Sequence, residues 1–579
     1  MKHKIIISLM LLSFIGQLGF AQQVSQTEAI NAAINIMRYE TRDKVYIDSI
    51  NGVYNKIIDS DTILYEVSFN DGSAVLLSGN KSCIPFLGMI TPDEDFAFSS
   101  VLENVDNPEV VNCFIDTYCE QIKYCFDSRA SSLLEQNEWD KLLQYDTSYY
   151  NNLERSKVGP LITTKWGQSR SNGIIYDEHA YNYYVNDNSS YCDGYCFAGC
   201  IAVSMAQILR YWNRPSENPS KCYQYDWNNM PNKLKRMNTN YKTQRNAVAK
   251  LIYDCAESVG MEYCYIQCFS FADSEIIPDA FMKFGYNNAK YEKRCFYTNE
   301  EWHSMLRNSL DNHRPIIYGG YNNVGGGHAF ICDGYKKRIF GDDYLYHFNW
   351  GENGKSNGWF FIDMITTKIN TYIGYIYNQD AIFDIYPSKC WENIIIECNK
   401  TINNNTNKNY CINNNFENNY NNYVIKSGGS VSLHASNEII LSDGFYATEG
   451  ANFLAEVIAH DLSGNATVTS RSNQDMNDQH EDDDVIYKDE VELLPSNANP
   501  SHISIYPNPA NDNITIELTA DCHTIEIYDS FGRMMMSRKV TESLSHQVVD
   551  VDISKYPSGL YLVVVKDDNN RYYKRIVKN

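Results

Sequence analysis

The chain has 579 residues, room for three or four domains, and 43% of them are hydrophobic, which excludes a globally disordered protein. A formal charge of −23 argues against nucleic acid as a partner. Seventeen cysteines, an odd number, leave at least one thiol unpaired unless it bonds to another molecule.

Residues 1–21 read as a signal peptide: Lys2 and Lys4, an apolar run from Ile5 to Phe20, and small residues at Gly19 and Ala21 for cleavage. Export follows, and with it an oxidising environment in which some cysteines pair. Residues 22–157 have the pattern of a small α/β unit. A capped helix is expected over 27–39, then a strand-rich stretch with Asn70-Asp71-Gly72 as a hairpin turn, then helices over 107–145. The polar stretch before Pro160 carries Arg155 and Lys157, an exposed place for proteolytic nicking.

Residues 158–388 are richer in aromatics, glycine and cysteine. Helices are expected at 200–212, 244–259 and 274–284. Strands follow in RPIIYGGY, HAFICDGY, DDYLYHFNW, NGWFFID and IGYIY, so the class is α+β. Residues 389–460 form an Asn-rich β module, its Asn tracts read as loops between short strands. Residues 461–500 are an acidic linker, and residues 501–579 alternate like a small β-sandwich with turns every 8 to 12 residues. Beyond the signal peptide no stretch is long and apolar enough to span a bilayer.

The chemistry centres on Cys200. It stands where Ala198-Gly199 turns into a helix, with Ile201, Met205, Ile208 and Trp212 on one face. A helix N-terminus favours the thiolate, the nucleophilic form. A lone cysteine is more often a buried structural residue, so its partners decide. Among five histidines of residues 158–388, His303 and His313 read as surface residues, His347 as a core residue and rival base, and His179 lacks a supporting pattern. His328 follows three glycines, Gly325 to Gly327, and precedes an apolar strand, which lets a substrate backbone lie beside its imidazole. Asn349 is expected to hydrogen-bond one nitrogen of His328 and Trp350 to shield that bond. Gln168 would offer an amide N–H to an oxyanion together with the Cys200 backbone N–H. Cys192, Cys196, Cys200, Cys264 and Cys268 fit no zinc or iron–sulfur spacing, so neither metal nor cofactor is expected. A bond from Cys192 or Cys196 to Cys200 would make the same stretch a redox lock.

The ordered set LITTKWGQ, AGCIAVSMAQILRYW, GGGHAFICDGY and YHFNWGENGKSNGWF resembles the streptopain family of secreted papain-like cysteine peptidases. The resemblance implies a papain-like fold, Cys200 as nucleophile, His328 as general base and acid, and Gln168 as oxyanion donor. It implies that Asn349 and Trp350 support the histidine, and that Gly327 and Ser270 line the substrate cleft. The sequence departs from that family after Gln168, in SRSNGIIYDEHAYNYY, and at Glu352, where an aromatic is common. LYEVSFNDGSAVLLSGNKSCIPFLGMITPDEDF resembles that family's pro-domain, which implies a zymogen whose pro-domain covers the active site until removed. YPNPA, IEIYDSFGR and SGLYLVVV, within residues 501–579, resemble the type A sorting domain of the type IX secretion system. That implies periplasmic transit, the secretion machinery as a partner, and a secreted or surface-attached product acting on proteins or peptides. Two other readings stand beside the endopeptidase: an inactive surface adhesin on a peptidase scaffold, and a papain-like acyl transfer such as transglutamination.

Overall fold

The computed structural model describes residues 23–42, 49–92, 100–103, 109–153, 156–169, 179–185, 196–218, 220–266, 268–321, 327–365, 379–396, 398–403, 406–418, 423–441 and 445–457 of a first unit. In a second unit it describes 503–506, 510–518, 524–529, 534–539, 547–556, 559–566 and 571–578. The expected signal peptide and acidic linker lie outside the described residues, as does IGYIY.

Helix α1 (Gln26–Thr41) starts on a capping box in which Ser25 and Glu28 satisfy each other's backbone N–H. Strands β1 (Ile50–Ile58), β2 (Asp61–Phe69), β3 (Ala74–Ser78) and β4 (Phe86–Ile90) then form an antiparallel meander. The expected Asn70-Asp71-Gly72 turn joins β2 to β3. Asp71 Oδ1 accepts from the Ser73 N–H at 2.9 Å, and Gly72 takes φ +85°. Helices α2 (Glu109–Asp127) and α3 (Leu133–Gln144) and the short strand β5 (Lys157–Val158) complete this part.

Next come α4 (Cys200–Trp212), α5 (Tyr241–Ser258), β6 (Lys290–Lys293), α6 (Asn299–Asp311), β7 (Ile316–Tyr321), β8 (Gly327–Lys337), β9 (Tyr344–Asn349), β10 (Gly358–Phe360) and β11 (Gln379–Phe383). All these strands join one eleven-stranded sheet in the order β1-β2-β3-β4-β10-β9-β8-β7-β11-β6, with β5 paired to β8. The meander is thus continued into the second half by pairing of β4 with β10, where Met89 faces Trp359. The boundary expected at residue 157 falls inside β5, whose Lys157 and Val158 pair with Lys336 and Tyr335.

Two cores flank the sheet. One takes Phe114, Tyr118 and Trp139 from the N-terminal part together with Phe330, Phe348, Trp350 and Trp359. The other packs α4 and α5 against Ile317, Ala329, Ile331 and Ile382. Aromatic edge-to-face contacts bind the first core across the expected domain boundary: the Phe114 ring lies 5.4 Å from Trp350 and 5.6 Å from Phe348.

The described strands between 394 and 457 are the expected short strands, and they stack as a three-faced parallel β-helix. Ile394, Phe416 and Ile439 are register partners on one face, Lys400, Tyr423 and Phe445 on the second, Asn407, Ser430 and Asn452 on the third. Each coil therefore takes 22 or 23 residues. Ile394, Ile412, Phe416, Ile425 and Leu433 fill the interior. Asparagines serve as rungs: Asn415 N donates to Asn393 Oδ1 and Asn437 Nδ2 to Asn415 Oδ1 at 2.7 Å. Disulfide Cys222–Cys398, and Glu217 held by Lys400, Lys408 and Tyr410, fasten the β-helix to residues 217–222, while Cys390–Cys411 ties its lead-in to its first coil.

The second unit is the expected sandwich. One sheet holds Ile503–Tyr506, Asn513–Leu518 and Gln547–Asp552. The other holds Thr524–Asp529, Met534–Lys539, Gly559–Lys566 and Arg571–Lys578. Ile514, Ile516, Ile525, Ile527, Val563 and Val565 meet between them.

Candidate active site

Cys200 is the first residue of α4, and its N-cap is Gly199 with φ 93°. The positive φ is what calls for glycine; a Cβ there would sit 2.5 Å from Met261 Cε, the mobile end of a side chain that could shift. With no side-chain cap on the helix, its first N–H groups stay directed at the region of the thiol. The segment before it is pinned on two sides. Cys196 is disulfide-bonded to Cys264, Phe197 N donates to Cys268 O at 2.9 Å, and Ala198 N donates to Gln168 O at 2.9 Å. The last bond places Gln168 beside the helix mouth. Because Cys196 is committed to Cys264, it does not supply the redox lock on Cys200; Cys192 lies outside the described residues.

His328 lines the same pocket as Cys200 and acts on its thiol electrostatically, and the Ala329 N–H donates to Sγ at 3.4 Å. His328 Nε2 donates to the Trp350 carbonyl at 3.0 Å, which leaves Nδ1 for the sulfur. Burial alone would push the Cys200 thiol up. The adjacent imidazolium and the hydrogen bonds to the sulfur outweigh it and hold the thiol below its ordinary value. Burial likewise opposes a charged His328, yet the thiolate, the Glu352 carboxylate and the Trp350 carbonyl raise it to about 9. Both shifts favour the ion pair.

The expected bond from Asn349 to His328 is not made. Asn349 Nδ2 donates to Thr164 O at 2.7 Å and to Gln207 Oε1 at 3.3 Å, and its Oδ1 accepts from Gly351 N. Asn349 thus ties β9 to the 164–168 segment and to α4, while the group holding the imidazole is the carbonyl of Trp350. The Trp350 indole is fully buried among Phe114, Phe330, Phe348 and Phe360, and its Nε1 donates to Ser356 O. Its shielding role for an Asn–His bond therefore gives way to a packing role behind Phe330, whose ring stacks 6.3 Å from His328.

Gln168 is buried, and its Nε2 donates to Glu352 Oε1 at 2.6 Å. A pocket beside the pair is lined by Cys200, His328, Ser270, Gly327, Gly319 and Ser274, so both residues expected in the cleft wall are there. Ser270 Oγ donates to Phe197 O at 2.6 Å, which braces the stretch leading to Cys200. Among the described residues, none from 23–157 lines this pocket. Among the described residues, the N-terminal part meets the residues that support the site through Phe114 on Trp350.

Two of the other histidines are held by partners of their own. His347 is a core residue, bonded to Asp333 Oδ1 at 2.6 Å and packed on Trp359. His303, expected at the surface, is buried between Tyr346 Oη and Asp363 Oδ2, each at 2.6 Å. These partners, 43 and 60 residues away, leave no mark on the local polar pattern. His313 is exposed.

Residues 176–360 match the Peptidase C10 family, and residues 504–579 match the secretion system C-terminal sorting domain. The chain is 26% identical to streptopain of Streptococcus pyogenes over 358 residues, covering 56% of this chain and 79% of streptopain. It is 26% identical over 257 residues to the thiol protease/hemagglutinin PrtT of Porphyromonas gingivalis, covering 40% of this chain and 28% of that protein. Among solved structures, a prointerpain A fragment from Prevotella intermedia is 23% identical, with a TM-score of 0.43 over 58% of this chain and all of that one. Active interpain A cysteine protease is 26% identical, with a TM-score of 0.32 over 40% of this chain and 95% of that one. No described helix is long and apolar enough to cross a membrane.

Proposed function

We propose that this chain, a cysteine peptidase with a Peptidase C10 domain at residues 176–360 and a type IX sorting domain at 504–579, is a secreted endopeptidase made as a zymogen. The observation that carries the reading is the Cys200–His328 pair, whose members shift in opposite directions so that the charged forms coexist near neutral pH. Cys200 thiolate attacks a peptide carbonyl. The Cys200 backbone N–H and the Gln168 amide hold the oxyanion, and the His328 imidazolium protonates the leaving amine. Water, deprotonated by the same imidazole, then hydrolyses the thioester. Gly327 and Ser270 contact the substrate from the pocket wall.

The zymogen reading rests on residues 22–157, which share a sheet and a core with the peptidase and meet Trp350, the residue whose carbonyl holds His328. Cleavage between about residues 145 and 161 would separate them, and the sorting domain directs the chain to the secretion machinery. The full set of nucleophile, base and oxyanion donor weighs against an inactive adhesin, which has no use for it. The test is alkylation: one equivalent of iodoacetamide should label Cys200 in the processed protein, abolish peptidase activity, and lose its selectivity on denaturation. Labelling spread equally over the other free thiols would refute the reading.

A further inference from the structure

Glu352 follows the Asn349-Trp350-Gly351 turn, and its carboxylate reaches across the site to Gln168 Nε2 at 2.6 Å. Burial pushes the Glu352 carboxyl up from its ordinary value, while the charge of His328 opposes that rise and the Glu352 carboxylate in turn favours a charged His328. A primary amide carries two N–H donors. Only one of those on Gln168 is taken by Glu352, so the carboxylate fixes the plane of the amide and leaves its second N–H outside that bond. We infer that Glu352 is a positioning residue for the peptidase reaction: it orients the oxyanion-donating amide of Gln168 and supplies a second negative charge that keeps His328 an imidazolium.

This inference rests on the proposed roles of Gln168, Cys200 and His328. The charged groups facing His328 are the Cys200 thiolate from α4 and Glu352 from the turn after β9; those facing Glu352 are His328 and Lys355. An amide free to rotate spends part of its time pointing its N–H groups away from the oxyanion position, and a rate that depends on it falls accordingly. Preorganised donors also avoid reorganisation during the reaction, which is where their effect on rate arises. The charge acts separately. An opposite charge within a few ångströms holds an imidazole protonated to higher pH, so its removal brings the loss of the proton forward.

The two contributions are separable with Glu352→Gln, which keeps an acceptor for the Gln168 N–H and removes the charge, and Glu352→Ala, which removes both. In processed enzyme, Glu352→Ala should lower kcat about tenfold, less than the ~10²–10³ of losing an oxyanion donor outright, with KM little changed. Glu352→Gln should restore most of kcat at pH 7. In both variants the alkaline limb of the kcat/KM profile should move down by about one pH unit. A parental kcat and alkaline limb in Glu352→Ala, a change confined to KM, or a faster Glu352→Ala would each overturn the inference. The last of these would mark the carboxylate as a competitor for the amide. Should Glu352→Ala fail to fold, the limb position in Glu352→Gln decides alone. An active Cys200→Ala control would instead sink the underlying reading, so the two failures are distinguishable.

Discussion

At the scale of single residues, activity depends on which groups hold which charge. With the thiol held below its ordinary value and His328 raised to about 9, the active ion pair exists in a window whose upper edge is the loss of the imidazolium proton. Activity should therefore decline above about pH 9 in a kcat/KM profile, and a decline centred near the ordinary histidine value would contradict it. Gln168→Ala should lower kcat by roughly 10²–10³. Asn349→Ala should behave differently, because its amide bonds to Thr164 and Gln207 rather than to His328. Stability should drop by about 1–3 kcal/mol in a denaturant melt, with a smaller effect on kcat than Gln168→Ala. Much of this site was legible from the sequence: a cysteine at a helix mouth, a glycine-flanked histidine and a preceding glutamine come together as expected. The holder of the imidazole was not, because a backbone carbonyl has no identity in a sequence. Glu352 was visible as a departure from a family pattern, but nothing local marked it as the partner of a glutamine 184 residues earlier.

At the scale of elements, β11 carries a second titration with a readable consequence. Asp380 is buried, accepts one hydrogen bond from Tyr291 and, among the described residues, has no partner for Oδ1. Burial raises its pKa to about 7, with Asp273 and Glu275 adding to the rise. The folded state then keeps a proton that the unfolded chain releases near the ordinary carboxylate value. Stability is fully present below that value and is lost as pH rises through about 7, by about 4 kcal/mol across the window. Asp380→Asn should flatten this dependence in urea melts between pH 5 and pH 8; an unchanged slope would count against it. The β-helix teaches a different lesson about legibility. Its strands pair with partners 22 or 23 residues away, and its interior alternates Ile, Phe, Tyr and Val at positions that look isolated within any short window. Alternation within a strand was readable; a parallel repeat longer than the window was not.

At the scale of the whole first unit, one sheet runs from the N-terminal meander into the strand that bears His328. Phe114 is where the two parts press together, against Trp350, Phe348, Phe330 and Phe360. Phe114→Ala should destabilise the unprocessed protein by about 3–5 kcal/mol and speed its conversion to the mature form. Once residues 22–157 are removed, the variant and the parent should have identical kcat/KM. The sequence marked the two parts as separate by composition, and it could not reveal that β4 and β10 pair, since strand partners that far apart are chosen by the assembled fold. The central claim is that Cys200 cleaves peptide bonds with His328 beside it. Its most direct measurement is casein digestion by purified, processed protein carrying Cys200→Ala, with melting curves matched to the parent. Digestion should fall to background; digestion at the parent's rate would contradict a catalytic Cys200.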